Sequence, residues 1–455
     1  MPLDHLSETL KDLAIKVDLV QLPSGEEQRA RELVKELKSL LDVGDNASVE
    51  TLPAPIRTLP ELTWRGEKPK TNRYYRPELD VLRFVAFLLV FLTHSLRGNP
   101  QPRITQLLKG FAPVYYASVV ASGFGLSLFF TLSAFLICEL LLRERGVTGT
   151  VQIKQFYFRR ILRIWPLYYL GLALGVFVAL LPGGHVSDIV AIGWFGIFLS
   201  TWIIPARGYV ANPVFPLWSI SVEEQFYAVA PWLTKFCSRK VIFGFCWILI
   251  GVSNICLIYM GRVRAPIEHI WENSFVQFEA FAAGILLCLV LRSRLPRLSV
   301  WQRIILLGAG WTSWFFASYK FHALFGPDQN PGSWSLVAGY GLAALGSVIL
   351  LFAFLGADSR LFPRWAIYLG RISFGLYVYH EFAMYFASKL ARHLGAIATQ
   401  SYPLRIIRAV GIEVLLPLGL TVLMAMFSYH FFETPFLKMK RRHSLIESQP
   451  IADAQ

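Results

Sequence analysis

Charged residues are scarce in this sequence: only 16% of its 455 residues are Asp, Glu, Lys or Arg. A soluble domain carries about 25% of them, so the composition excludes an ordinary soluble globular protein. Apolar residues make up 55% of the chain, and the mean hydropathy is +0.47. They stand in long blocks, and about 20 consecutive apolar residues cross a bilayer as a helix. The composition is typical of a polytopic membrane protein.

Cysteine is also rare, and the five that occur lie in or beside apolar blocks without paired metal-type spacing. We expect them to be core residues rather than disulfides or zinc ligands. No nucleotide loop of the GxxxxGK[ST] type is present, so we predict neither a metal site nor ATP use. The first 75 residues are polar and contain no signal-peptide pattern, which predicts a cytoplasmic N-terminus.

The chain has a formal net charge of +14. A net positive charge of this size has two interpretations, nucleic-acid binding or positively charged cytoplasmic loops. In a membrane protein the second is the simpler one, because cytoplasmic loops carry an excess of Lys and Arg. We therefore predict no nucleic-acid partner.

Eleven apolar segments follow Val81, and five basic stretches separate some of them. All five basic stretches lie inside if the segments between Ile164 and Lys235 make only two crossings. Backbone groups in lipid must be paired within the segment, so the spans should be helices. The prediction is an all-α transmembrane bundle of about ten spans with both termini cytoplasmic. One segment between Asp188 and Leu233 is then re-entrant or interfacial.

Three regions are predicted. Residues 1–75 form a short soluble helical extension with a linker, 76–437 form the transmembrane domain, and 438–455 form a basic then polar tail. The extension has apolar residues at helical spacing over 6–19 and 26–41. It could join two copies of the chain, dock a partner protein, lie on the membrane surface, or be functionally neutral.

Arg83 and His94 are eleven residues apart in the first predicted span. That spacing places both on one helix face, about 16 Å apart along the axis, with Asp80 one turn before Arg83. Ionisable groups inside a span are costly and usually face a cavity or a partner. Arg83 could hold an anion and His94 could deprotonate a hydroxyl, or the two could be an interfacial anchor and a structural histidine.

Arg159, Arg160 and Arg163 lie where the chain re-enters the membrane. They could be a positive-inside anchor. Guanidinium groups also bind phosphate in a bidentate manner, so they could hold a nucleotide-like anion.

Glu223 and Glu224 are adjacent acids in an apolar environment. Packing does not explain such a pair, and we predict a site role for at least one of them, without choosing which. His380 lies well within the penultimate span. A lone histidine in a helix is more often structural, but a second intramembrane histidine favours a proton path.

Six segments together resemble the acyltransferase-3 family, whose members are membrane enzymes that move acyl groups onto sugars and related hydroxyl compounds. They occur in the family order over about residues 76–437: RPELDVLRFVAFLLVFLTH, GLSLFFTLSAFLI, FRRILRIWPLYY, PLWSISVEEQFY, GRISFGLYVYH and ETPF.

The resemblance implies that His94 is the central catalytic histidine, with Arg83 as its partner. It matches the three arginines to a basic motif near the acyl donor, Glu223 and Glu224 to an acidic pair, and His380 to the histidine of the penultimate span. Two residues depart from the family pattern: Ser127 stands where an acid is usual, and Ala134 replaces a glycine. Ser127 removes a charge that could orient a neighbouring Arg or His.

We therefore expect a membrane-bound O-acyltransferase with no bound cofactor. It would move an acyl group, with acetyl favoured, from acyl-CoA to a hydroxyl of a cell-surface glycan, lipid-linked sugar or related acceptor. His94 would act as general base or as acyl carrier. The family's usual setting implies the bacterial inner membrane. The alternatives are a proton-coupled transporter or flippase that uses the same buried Arg, His and Glu residues, and a membrane scaffold.

Overall fold

The computed structural model describes residues 74–97, 109–202, 212–324, 331–393 and 410–442. Within these ranges every regular element is a helix and no strand occurs, so the prediction of an all-α fold is confirmed. The helices predicted over 6–19 and 26–41 lie outside the described residues.

Fifteen α-helices occur in the described ranges. They are α1 (Pro77–Arg97), α2 (Ala112–Ser122), α3 (Gly125–Thr148), α4 (Ile153–Leu180), α5 (Asp188–Gly196), α6 (Trp218–Phe236), α7 (Arg239–Arg262), α8 (Ile267–Trp271), α9 (Ser274–Leu291), α10 (Val300–Tyr319), α11 (Ser333–Phe354), α12 (Arg364–Arg371), α13 (Ser373–His393), α14 (Leu416–Ser428) and α15 (Thr434–Arg442). Two π-helical stretches, Val410–Leu415 and Tyr429–Glu433, flank α14.

Seven described helical segments are long and apolar enough to cross a membrane. Five of them are single helices: α1, α4, α7, α9 and α11. The other two are the segment that runs through α2 and α3 and the segment from Glu413 to Lys440. Three more helices, α6, α10 and α13, have 19, 20 and 21 residues. The short α5 lies in the region predicted to be re-entrant or interfacial. The count of about ten spans and their orientation stay predictions.

Side-chain caps set the starts of three helices. Ser238 accepts a hydrogen bond from the amide of Val241 at the start of α7. Asn273 accepts from two amides of α9, and Ser299 forms a capping box with Gln302 at the start of α10. These caps satisfy backbone donors that have no partner within the helix. The sequence therefore determines these boundaries locally.

Five helices enclose the polar centre of the bundle. α3 and α13 pack on α1, α4 packs on α13, and α6 packs on both α3 and α4. On the other side α9 packs on α3, and α7, α10 and α11 complete a second group of helices. Fully buried aromatic rings fill the space between helices, among them Phe87, Phe124 and Trp314. The polar centre of the bundle is the space enclosed by α1, α3, α4, α6 and α13.

Two glycines allow close helix contacts that these positions require. A Cβ atom at Gly370 of α12 would overlap the backbone carbonyl of Asp80 in α1. A Cβ atom at Gly284 of α9 would overlap the carbonyl of Thr131 in α3. Small residues commonly permit such approaches between membrane helices. Gly370 matters for the site, because Asp80 lies beside Arg83.

We predict that Gly370→Ala destabilises the protein by about 1–3 kcal/mol, the usual cost of inserting a methyl group into a filled contact. The midpoint of thermal unfolding in detergent, followed by tryptophan fluorescence, should fall. Gly244→Ala in α7 is the matched control, since nothing lies within 4 Å of a Cβ atom there. Equal midpoints for the two variants would contradict the close contact between α12 and α1.

We also predict that the two ends of α7 lie on opposite sides of the membrane, with Ser238 inside and Val263 outside. Both residues are exposed. In a background without the natural cysteines, Ser238→Cys and Val263→Cys would be treated with a membrane-impermeant maleimide. In intact spheroplasts only the variant at position 263 should react, and lysis should expose the other. The reverse pattern would invert the predicted topology.

Candidate active site

A cavity of about 140 Å³, lined by both charged and apolar residues, opens between α1, α3, α4, α6 and α13. Its polar lining comprises Tyr74, Tyr75, Arg76, Asp80, Arg83, Ser133, Arg160, Arg163, Ser219, Glu223, Tyr227, Ser373 and Tyr377. Its apolar lining comes mostly from α3, with Leu126, Phe129, Phe130, Leu132 and Leu136. The cavity thus joins a charged end with an apolar wall.

Three of the predicted arginines line this cavity: Arg83, Arg160 and Arg163. Arg83 is held by Asp80 at 2.6 Å, one turn earlier on α1. The Arg160 guanidinium lies over the Tyr227 ring, 5.3 Å from its centroid. Arg160 and Arg163 are one turn apart on α4, so their charges fall on one side of that helix. The result is a concentration of positive charge with few acids, suited to an anion.

Arg159, the third arginine of the predicted basic motif, is not among the cavity-lining residues. Its guanidinium forms an ion pair with Glu144 of α3 at 2.8 Å. The same carboxylate accepts a hydrogen bond from the amide of Gln152. Arg159 therefore ties the start of α4 to the end of α3, as a structural contact.

The adjacent acids point in different directions. Glu223 lines the cavity, beside Ser133 and Tyr227 and within electrostatic reach of Arg160. Glu224 lies outside the lining, where the indole of Trp165 donates to its carboxylate across 3.4 Å. Successive residues on a helix are turned by about 100°, so one of two neighbours faces away. Of the pair, Glu223 is the one that can touch a ligand in the cavity.

Two tyrosines that precede the first span cover the charged end of the cavity. Burial raises the pKa of Tyr74 and of Tyr75 to about 12. Their hydroxyls therefore stay protonated at neutral pH. Arg371 donates to the Tyr75 hydroxyl at 2.9 Å, and Arg143 lies over the Tyr74 ring at 4.5 Å.

His94 and His380 meet in the bundle although 286 residues separate them. Nδ1 of His94 is 2.9 Å from Nε2 of His380. The ring centroids are 5.1 Å apart and the planes differ by 16°. The distance between the two nitrogens is shorter than the distance between the two ring centroids by about the width of one imidazole ring. The nitrogens therefore point at each other, and the rings meet edge to edge. This is the geometry of an in-plane hydrogen bond.

Glu381 completes this cluster. Its carboxylate oxygen is 2.9 Å from the same Nδ1 atom of His94. His380 is completely buried, whereas the side chains of His94 and Glu381 are 32% and 29% exposed. Of the two histidines, only His94 can be reached by a substrate without a rearrangement.

Tyr377 lies between the cavity and the histidines. It lines the cavity, and its hydroxyl bonds to Ser219 at 2.7 Å and to the carbonyl of Pro216 at 2.8 Å. Its own backbone carbonyl accepts from Nδ1 of His380, and its ring centroid is 5.4 Å from that of His380. The cavity therefore ends against the residue that holds His380.

The three side chains of the cluster could also supply metal ligands, since one ligand atom from each lies within 4.8 Å of the others. A zinc ion would need to sit about 2.0–2.2 Å from each atom. The ligand atoms are already spaced as hydrogen-bond partners at 2.9 Å, so mutual hydrogen bonding accounts for the geometry.

The sequence patterns did not single out Glu381 or Tyr377. Glu381 directly follows His380, and a carboxylate at that place in an apolar segment was the available signal. Tyr377 is one of several tyrosines in its span, and only its hydrogen bonds to Ser219 and to the carbonyl of Pro216 distinguish it.

Neither departure from the family pattern touches the cavity. Ser127 is buried on α3, while its neighbours Leu126 and Phe129 line the cavity. Ala134 lies on the face of α3 that packs on α9, at the close approach of Gly284. Both residues therefore lie outside the cavity lining, and Ala134 lies between α3 and α9.

Comparison with known proteins identifies a protein family that matches most of the chain. The profile of a family described as an acyltransferase domain, the acyltransferase-3 type, matches residues 76–429. No solved structure matches the chain.

Curated relatives are similar to most of this chain. The peptidoglycan O-acetyltransferase OatA of Listeria monocytogenes is 24% identical over 399 residues, 81% of this chain and 57% of the relative. The O-acetyltransferase OatA of Staphylococcus aureus strain NCTC 8325 is 22% identical over 393 residues, 82% of this chain and 59% of the relative. The chain thus spans less than two thirds of the length of these relatives.

Proposed function

The chain belongs to the acyltransferase-3 family, and on this basis we propose that it is a membrane-bound O-acetyltransferase. The proposed donor is acetyl-CoA. The proposed acceptor is a hydroxyl group of a cell-surface glycan or lipid-linked sugar. The observation that carries the proposal is the line from a cationic cavity, through Tyr377, to a histidine pair that includes a partly exposed His94.

The charged end of the cavity suits the phosphates of the donor. Arg83, Arg160 and Arg163 face one space, and guanidinium groups bind phosphate oxygens through two parallel hydrogen bonds. The tyrosine hydroxyls beside them can add neutral donors. The apolar wall from α3 suits the uncharged arm that carries the thioester. The donor would then lie with its phosphates at the mouth and its acyl group near Tyr377.

Two reaction routes can use His94. As a general base, a ring nitrogen of His94 takes the proton of the acceptor hydroxyl while the hydroxyl oxygen bonds to the thioester carbon. The carbon–sulfur bond breaks, and the thiolate takes that proton. As an acyl carrier, a ring nitrogen of His94 itself bonds to the carbonyl carbon and expels the thiolate. The acceptor oxygen then displaces the imidazole and its proton passes on to the thiolate. Either route gives one ester and one thiol.

The acceptor class is proposed from the relatives. One of them is named a peptidoglycan O-acetyltransferase, and the family resemblance extends over the membrane-spanning part of this chain. A glycan on the outer side of a bacterial cytoplasmic membrane would meet His94, which lies near the end of α1 opposite the arginines. The acyl group alone would then cross the membrane.

We predict that His94→Ala abolishes transfer of radiolabel from acetyl-CoA to host acceptor extracts, because both routes need its imidazole ring. The assay uses purified protein in nanodiscs. His430→Ala is the matched control, because this exposed histidine, bonded to the Tyr368 hydroxyl at 3.2 Å, is not among the cavity-lining residues; it should retain wild-type activity.

Wild-type activity in the His94 variant would contradict the proposal. If the folded wild-type protein neither binds nor consumes acyl-CoA, the proposal also fails, and transport of a substrate across reconstituted vesicles becomes the function to assay.

We predict that Arg160→Gln and Arg163→Gln each raise the KM for acetyl-CoA about 10- to 100-fold. A hydrogen bond to a charged group contributes about 1.5–3 kcal/mol, and each 1.4 kcal/mol is about tenfold in affinity. Initial rates over a range of donor concentrations would measure the change. Arg163→Lys keeps the charge without the bidentate geometry, and its KM for acetyl-CoA should lie between that of the wild type and that of Arg163→Gln.

Arg239→Gln is the control for the loss of one positive charge, since Arg239 is exposed at the start of α7. It should leave KM unchanged. An equal rise in the control would show a general surface-charge effect and would remove the cavity arginines from the donor site.

A further inference from the structure

We propose that Glu381 is a positioning residue that keeps the proton of neutral His94 on Nδ1, so that Nε2 of His94 is the reacting atom. This inference rests on the proposed acyl transfer and names a residue that the sequence motifs did not. It follows from the hydrogen bonds of three side chains and one carbonyl.

The tautomer of His380 is determined by its backbone contact. Its Nδ1 atom contacts the carbonyl oxygen of Tyr377. A carbonyl oxygen only accepts, so Nδ1 must carry a proton. In a neutral imidazole the other nitrogen is then an acceptor. Nε2 of His380 therefore presents a lone pair to His94.

The tautomer of His94 follows. Its Nδ1 atom lies 2.9 Å from Nε2 of His380 and 2.9 Å from the carboxylate of Glu381. Both neighbours are acceptors, because an ionised carboxylate has no proton to donate. Nδ1 must therefore be the donor. If the proton were on Nε2 instead, three lone pairs would face one another in a partly buried site.

With Nδ1 protonated, Nε2 of His94 has a free lone pair. That atom can take the proton of a hydroxyl or attack a thioester carbon. In both routes His94 gains positive charge at the transition state, and the adjacent carboxylate stabilises it. A carboxylate on the distal nitrogen of a catalytic histidine has this double role in serine hydrolases, where it orients the ring and stabilises the imidazolium.

The two histidines have separate tasks in this arrangement. His380 is completely buried, with the Phe87 ring 6.2 Å and the Tyr377 ring 5.4 Å from its centroid. It is held as an acceptor and has no route to a substrate. His94 is the partly exposed member of the two. The negative charge that stabilises its imidazolium comes from Glu381 and not from His380. The carboxylate stays unprotonated through the cycle, so the proton balance of the proposed transfer is unchanged.

We predict that Glu381→Gln lowers kcat about 10²- to 10⁴-fold, while the KM for acetyl-CoA changes less than about threefold. Loss of the carboxylate from a comparable carboxylate–histidine pair costs about 10⁴-fold in kcat, and the donor phosphates bind elsewhere. Glu381→Asp keeps the charge on a shorter side chain and should restore part of the rate. Glu279→Gln, which removes another largely buried acid, bonded to Ser253, should behave as wild type.

A second measurement does not depend on activity. Nitrogen NMR of protein labelled with ¹⁵N-histidine, in nanodiscs, distinguishes a protonated from a bare ring nitrogen. The His94 signals are identified by their loss in His94→Ala. The wild type should show a protonated Nδ1 and a bare Nε2 at His94, and Glu381→Gln should weaken that preference.

The outcomes separate the two proposals. Protonated Nε2 at wild-type His94 would overturn the role of Glu381, whatever the activity. So would a Glu381→Gln variant with wild-type kcat. If the NMR signals are as predicted but no acyl group is ever transferred, the tautomer assignment stands and the proposed function fails.

Discussion

The constraint on which the rest of this structure depends is the cost of an unpaired charge inside an apolar bundle. A charge there is stable only with a partner or access to water. Asp80 pairs with Arg83, Glu139 with Arg143, Glu144 with Arg159, and Glu381 with His94. The first two pairs lie within one helix each, whereas Glu144–Arg159 ties α3 to α4 and Glu381–His94 ties α13 to α1.

That division produces two chemical environments in one bundle. The end near Tyr75 collects guanidinium groups and tyrosine hydroxyls, and it suits a polyanion. The histidine end has two imidazoles and one carboxylate in direct contact. Tyr377 belongs to both, since its hydroxyl is bound by α6 and its carbonyl holds His380. In the proposed function, a donor and an acceptor would approach from different directions and meet at one side chain, His94.

Much of this was predictable from sequence. Long apolar blocks predicted the helical bundle, because lipid leaves a helix as the simplest way to pair the backbone. The spacing of Asp80, Arg83 and His94 predicted a common helix face, and Arg83 does bond to Asp80. The family follows from motifs in order and is confirmed by the profile match over residues 76–429. These features depend on residues close in sequence or on composition.

The sequence by itself determined which elements are helices, where several begin, and which family the chain belongs to. Only the tertiary structure decided which ionisable groups meet. It turns Glu223 into the cavity and Glu224 toward Trp165, binds Arg159 to Glu144, and brings His94 within 2.9 Å of His380 and Glu381. The physical reason is that helix periodicity fixes directions around one axis, whereas the contact between two axes depends on close packing, such as that of Gly370 against Asp80.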